Sequence, residues 1–65
     1  MKLIHWIIDR DKTWMVKNDR RYGYYCKSLL IAGYEAKLIY PYSNHKTFPT
    51  SAECLSYLLS ATDNY

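Results

Sequence analysis

The sequence is poor in cysteine, glycine, proline and acidic residues, and each shortage closes off a class of protein. Two cysteines in 65 residues cannot build a disulfide framework. Cys26, Cys54, His5 and His45 are spread too widely to give the close-paired spacing of a metal-ligand motif. Two glycines and two prolines exclude a low-complexity or collagen-like chain. Neither Gly23 nor Gly33 belongs to a glycine-rich loop that could cradle phosphate. No apolar run reaches the length of a membrane span. The first eight residues have one leading lysine and no small-residue cleavage site, so they do not read as a signal peptide. The expectation is one small cytoplasmic domain over 1–65, frayed at 62–65, with reduced thiols, no metal, no cofactor and no membrane partner.

Acidic residues number six against nine lysines and arginines, and the imbalance is local. Residues 1–37 hold eight of the basic side chains and four of the acidic ones. The N-terminal half is therefore the side that would meet an acidic partner. What the chain does have is aromatic mass. Eight Tyr, two Trp and one Phe each bury a large area, which helps a chain near the lower size limit for a self-sufficient core.

The stretch RRYGYYCKSLLIAGYEAKLIYP, Arg20 to Pro41, organises the expected fold. Tyr22, Tyr25, Cys26, Leu29 and Leu30 recur at the spacing of one helical stripe. Asn18 or Asp19 would cap the helix start, Gly33 would stop it, and Gly23 would weaken its first turn. From Tyr34 the period changes to 2, with Tyr34, Ala36, Leu38 and Tyr40 alternating against Glu35, Lys37 and Ile39, which predicts a strand ended by Pro41.

Upstream, KLIHWII (Lys2 to Ile8) predicts a strand covered on both faces, and TWMVK (Thr13 to Lys17) predicts an antiparallel partner across a polar connector. A right-handed crossover through the helix would make strands two and three parallel, with the apolar first strand central. Tyr42 to Pro49 predicts a loop. Thr50-Ser51-Ala52-Glu53 fits a capping box for a second helix over Thr50 to Thr62, packing through Ala52, Leu55, Leu58, Leu59 and Thr62. The predicted fold is α+β: a ββαβα sandwich with a three-stranded sheet of order 2-1-3 and two helices.

Function is less determined. Lys12, Lys17, Arg20, Arg21 and Lys27 interleave with Tyr22, Tyr24 and Tyr25, a composition that could hold phosphates and stack bases. No RNP, KH or helix-turn-helix pattern accompanies it. Arg20 and Arg21 would oppose the dipole at a helix start, which favours a partner-facing role, and Tyr24 lies off the helical stripe. Met15, Lys17, Arg20, Arg21 and Tyr24 are therefore the expected partner-binding residues, since Tyr and Arg are the usual anchors of interfaces. Leu3, His5, Ile7, Met15 and Ile39 would share an uncovered sheet face, and Leu3, Ile7, Met15 and Ile39 are the expected contacts of a homodimer.

The spacing of Gly33, Tyr34, Ser43, His45 and Phe48 resembles the histidine region of HicA-type mRNA interferase toxins. This chain adds an N-terminal hairpin and one residue before the serine, and it lacks a strand after the histidine. That resemblance implies general acid–base cleavage of RNA by His45. The turn at Ala32, Gly33 and Tyr34 resembles that of a small phage inhibitor of bacterial RNA polymerase. The leading expectation is a non-enzymatic protein that occupies a surface of a larger protein, as viral and mobile-element inhibitors do. A nucleic-acid-binding domain using residues 12–27 is the alternative, and a His45-dependent RNase-like toxin the third.

Overall fold

A computed structural model describes residues 4–64; Leu3, expected on an open face, lies outside them. Five strands follow one another, β1 (Ile4–Asp9), β2 (Lys12–Lys17), β3 (Arg20–Lys27), β4 (Tyr34–Leu38) and β5 (Asn44–Phe48), and a helix α1 (Ser51–Ala61) closes the order. The strands form one antiparallel sheet in chain order, β1-β2-β3-β4-β5. This overturns the ββαβα reading: the sheet has five strands rather than three, and among the described residues there is one helix rather than two. No crossover is needed, because every connection is a hairpin.

The largest correction is at Arg20–Lys27, where a strand replaces the predicted helix. Asn18 and Asp19 both have positive φ, 54° and 60°. Consecutive left-handed residues of this type make the two-residue hairpin turn that matches strand twist, so they turn β2 into β3 instead of capping a helix. The helical spacing has a separate cause. The β2–β3 register runs Met15 to Gly23 and then Val16 to Arg21, leaving Tyr22 as an extra residue in β3. Such a bulge reverses the side-chain alternation. Tyr22, Gly23 and Tyr25 therefore all face α1, and a spacing of three imitates a helix. The Tyr22 carbonyl accepts the N–H groups of Ile39 (3.0 Å) and Tyr40 (3.1 Å), which ties the bulge to the strand beside it.

Beyond β3 the chain makes a loop rather than a last helical turn. The Ser28 Oγ accepts the N–H groups of Leu30 (3.1 Å) and Ile31 (3.2 Å), a local competition with helix that serine favours. Gly33 is not a helix stop, since its φ is not positive. It is small because a Cβ there would lie 2.6 Å from the Phe48 carbonyl oxygen.

Two further corrections concern the sheet edges. β1, expected in the centre, is an edge strand, with Ile4, Ile7 and Ile8 exposed. The stretch Tyr42 to Pro49, expected as a loop, contains β5 at the other edge. Its polar sequence suits an edge, where charge discourages unwanted pairing.

The core lies between α1 and one face of the sheet: Met15, Tyr22, Ala36, Leu38, Cys54 and Leu58, with Trp6, Tyr25, Tyr34, Tyr40, Phe48 and Tyr57 around them. The predicted capping box is present, Thr50 accepting from the Glu53 N–H and Glu53 from the Thr50 N–H. Of the packing stripe expected for the helix, Leu58 and Thr62 are buried and Leu55 is half-buried, whereas Ala52 and Leu59 are exposed and Cys54, not in the stripe, is buried in their place. Its last turn has no basic residue, so the compensating cation comes from the sheet: Lys17 Nζ donates to the Thr62 carbonyl. A positive charge there complements the helix dipole.

Replacing Thr50 by Ala removes the cap and is expected to cost about 1 kcal/mol, lowering Tm by about 4–8 °C in a domain this small. Gly23→Ala is expected to cost more, about 1–3 kcal/mol, because its Cβ would meet the Lys37 carbonyl oxygen at 2.6 Å and Leu58 at 3.1 Å. Thermal melts followed by circular dichroism check both; a smaller loss for Gly23→Ala than for Thr50→Ala would refute the close-approach reading.

Candidate functional site: the helix-free face of the sheet

Because α1 rests mainly on β3, β4 and β5 and on one side only, no element covers the opposite face among the described residues. Side chains directly opposite in an antiparallel sheet share a face. The register therefore lines up Ile7, Trp14, Tyr24, Lys37 and His45 in one row across all five strands on that face. Trp14 and Tyr24 touch, with ring centroids 4.8 Å apart and planes tilted by 53°. The Arg21 guanidinium lies 4.9 Å from the Trp14 ring, and Lys12 Nζ 5.4 Å from the Tyr24 ring. The result is a ladder of cation, indole, phenol and cation. Each cation–π contact contributes about 0.5–1 kcal/mol at an exposed site, enough to order the long side chains without holding them shut.

Acidic groups frame the ladder. Arg21 Nη1 lies 3.9 Å from Asp9 Oδ2, and Lys12 Nζ 4.0 Å from Asp11 Oδ1. His45 Nε2 lies 3.9 Å from Glu35 Oε2. All three are long, at 3.9–4.0 Å, and each keeps at least one partner in solvent although Glu35 is half-buried, so each is worth little. Under the ladder, Val16 is 5% exposed. Trp14 Nε1 is buried and has no acceptor, a cost that buried donors rarely bear.

The structure separates the five residues singled out from the sequence. Arg21 and Tyr24 meet on the open face. Met15 is in the core with no exposure, on the same face as Trp6, its partner across β1 and β2. It therefore leaves the expected exposed set of Leu3, Ile7, Met15 and Ile39, of which Ile7 and Ile39 are 37% and 44% exposed. Lys17 is 2% exposed, its ammonium held by the helix end and lying 5.3 Å from the Tyr22 ring. Arg20 packs over Tyr40, 4.4 Å from its ring. Tyr22 and Tyr25, taken with the basic strip, point into the core.

Trp14 and Lys37 were not among the expected binding residues. TWMVK alternates Trp14 and Val16 against Thr13, Met15 and Lys17, and the sequence reading turns the Met15 set outward, whereas Met15 is in the core. Only the presence of α1 on Met15's side decides that.

The other candidates come apart. His45 is exposed on β5 with Glu35 as its charged neighbour. Asn44 and Lys46 beside it turn to the helix side, where Asn44 Nδ2 donates to Tyr57 Oη (2.6 Å) and Lys46 Nζ lies 5.5 Å from the Tyr57 ring. The Ala32-Gly33-Tyr34 turn joins two strands rather than a helix and a strand, so the likeness to a phage inhibitor loses its structural basis. Among the described residues, no three His, Cys, Asp or Glu side chains lie close enough to hold a metal ion, and no helix is long and apolar enough to cross a membrane. Cys26 and Cys54 are free. Burial pushes both thiols above their ordinary pKa; the Glu35 carboxylate adds to this at Cys26, and Cys26 at Cys54.

The β3–β4 loop carries a second, apolar feature. Leu29 and Leu30 are 98% and 91% exposed, and Ile31 47%, so the hairpin ends in three adjacent uncovered aliphatic side chains.

Comparison of the chain with protein-family models, with curated proteins and with solved structures gives no match, so the surface itself must carry the functional reading.

Both cysteines are expected to alkylate more slowly than free cysteine around neutral pH, because only the thiolate reacts and a raised pKa depletes it. Iodoacetamide rates followed by mass spectrometry should rise with pH past the range of an ordinary thiol. A fast-reacting cysteine near neutrality would instead mark a nucleophile.

Proposed function

We propose that the chain is a small non-enzymatic binding protein whose working surface is the helix-free face, with Trp14, Tyr24 and Arg21 at its centre and Lys12 and Lys37 at its rim. The observation that carries this reading is the ladder itself, two aromatic rings in contact, bracketed by cations on a face that no element covers among the described residues. Trp, Tyr and Arg dominate the energetics of protein interfaces because each buries a large area and keeps a polar handle. Trp14 Nε1, buried and without an acceptor among the described residues, is a donor that a partner's carbonyl could satisfy if binding rearranges the side chains around the indole. The favoured ligand is a larger protein, inhibited by occupation of its surface in a reducing cytoplasm. A phage or mobile element, acting in its host's cytoplasm, is the setting proposed for such a protein.

Single-stranded nucleic acid is the second reading, since the same cations and rings could hold phosphates and stack bases. It ranks behind a protein partner because Asp9, Asp11 and Glu35 sit beside Arg21, Lys12 and His45 and reduce the charge left for phosphates. An RNA-cleaving role for His45 ranks third, its flanking residues being turned to the opposite side of the sheet.

The test is capture from lysate by the tagged protein, with and without nuclease, set against the Trp14→Ala, Arg21→Glu double variant. A protein band that survives nuclease and falls at least about tenfold in the variant is expected, as for loss of interface anchors worth about 2 kcal/mol. A Lys27→Glu control, away from the open face, should capture normally. Between about 50 and 200 mM salt the capture should change less than about tenfold, whereas binding through six or more phosphates would fall about a thousandfold. Nuclease-sensitive capture with that steep salt dependence would displace the protein-partner reading.

A further inference from the structure

The two edges of the sheet are finished differently. β5 is polar and carries Lys46, whereas β1 has no lysine, arginine, aspartate or glutamate from Ile4 to Ile8. Among the described residues no segment pairs with the outer side of β1. Ile4, Ile7 and Ile8 are 40%, 37% and 77% exposed. Trp6 reaches the core margin through Tyr25, at a centroid distance of 6.1 Å, but α1 lies over the far strands and leaves Ile4 and Ile8 beyond its cover. An edge of this kind, five residues without Lys, Arg, Asp or Glu and three of them isoleucine, is the feature that soluble proteins ordinarily blunt with charge or cover.

The hairpin fixes which backbone groups are free. Asp9 and Lys12 face each other across the two-residue turn at Arg10 and Asp11, so they form the hydrogen-bonded pair that closes it. Alternation along the strand then turns the N–H and C=O groups of Ile8, Trp6 and Ile4 away from β2. These are the groups a further strand would engage.

We propose that the further strand is β1 of a second copy of this chain, paired antiparallel about a two-fold axis at Ile7, so that two sheets join into one of ten strands. This register is self-complementary. Ile7 faces the second copy's Ile7 on the helix-free side. Trp6 faces the second copy's Ile8 on the helix side, twice by symmetry, an aromatic–β-branched pairing of the favourable kind. His5 faces the second copy's Asp9, again twice, setting an imidazole against a carboxylate. A shift by one residue would put helix-side residues against residues of the other face. A shift by two in either direction loses both His5–Asp9 pairs. The two copies of α1 then lie on one side of the joined sheet, and the two copies of the Trp14–Tyr24 ladder on the other. A partner with repeated binding sites would meet both ladders at once.

Sedimentation velocity and light scattering on the intact chain test this up to about 100 µM, well above a Kd of about 1 µM for a modest interface. The expected particle has twice the 7.8 kDa chain mass. Ile7→Lys and Ile7→Glu each set like charges against each other at the two-fold axis, and each is expected to be monomeric and folded by circular dichroism. The dimer dissociation constant should rise at least about 100-fold, the equivalent of two tenfold steps in affinity. Mixing the two variants should restore a dimer, because residue 7 meets residue 7 only in this register. Leu29→Ser with Leu30→Ser should leave the dimer intact. A monomeric wild type at the highest concentration overturns the proposal. So does a dimer that survives Ile7→Lys, one lost in the loop variant, or a mixture that stays monomeric.

Discussion

At Gly23 the sheet has no room for a Cβ beside the backbone of β4 and little beneath Leu58, and the seating of the helix depends on that close approach. A Cβ at Gly23 would lie 3.1 Å from Leu58 and 2.6 Å from the backbone of β4. The helix is thereby drawn down onto the middle of the sheet. Its two ends are held by different devices: Thr50 and Glu53 satisfy free N–H groups at the start, and Lys17 brings a cation to carbonyls at the finish. Both use the same fact, that helix ends carry unpaired backbone groups and partial charge. The second reaches across 45 residues of chain, so it also fixes β2 relative to α1.

One helix cannot cover five strands. Seated over β3 to β5, it leaves β1 as a bare apolar edge and one whole face open to solvent. The aromatic residues that a chain of this size would be expected to bury are consequently divided between the faces. Tyr22, Tyr25, Tyr34 and Phe48 line the core, while Trp14 and Tyr24 remain outside with Arg21 and Lys12 laid across them. The charged groups themselves lie over the rings, 4.9 Å away for Arg21 and 5.4 Å for Lys12, a cover worth so little at an exposed site that a partner can displace it at modest cost. The same shortage of helix leaves Leu29 and Leu30 without contacts at the far hairpin. The surfaces with functional potential are thus what one helix leaves unburied.

The misreading of Arg20–Lys27 has a specific physical origin. A strand shows period 2 only while its register is regular, and the extra residue at Tyr22 breaks it. The apolar spacing then matches a helix, although three tyrosines favour a strand, Gly23 weakens a helix and Asn18-Asp19 is a hairpin turn pair. The apolar content of β1 misled in another way. An edge strand that waits for a partner and a central strand with two neighbours have the same composition.

Local chemistry was legible in the sequence. The capping box at Thr50 and Glu53, the helix after it, the alternation of β4 and the hairpin of β1 with β2 each depend on residues a few positions apart. What only the tertiary structure decided was which alternating set faces inward, where β1 lies in the sheet, and that Lys17 serves the end of a helix while Arg21 lies over an indole. Those outcomes depend on where one helix comes to rest, and that is set by packing between residues distant in the chain.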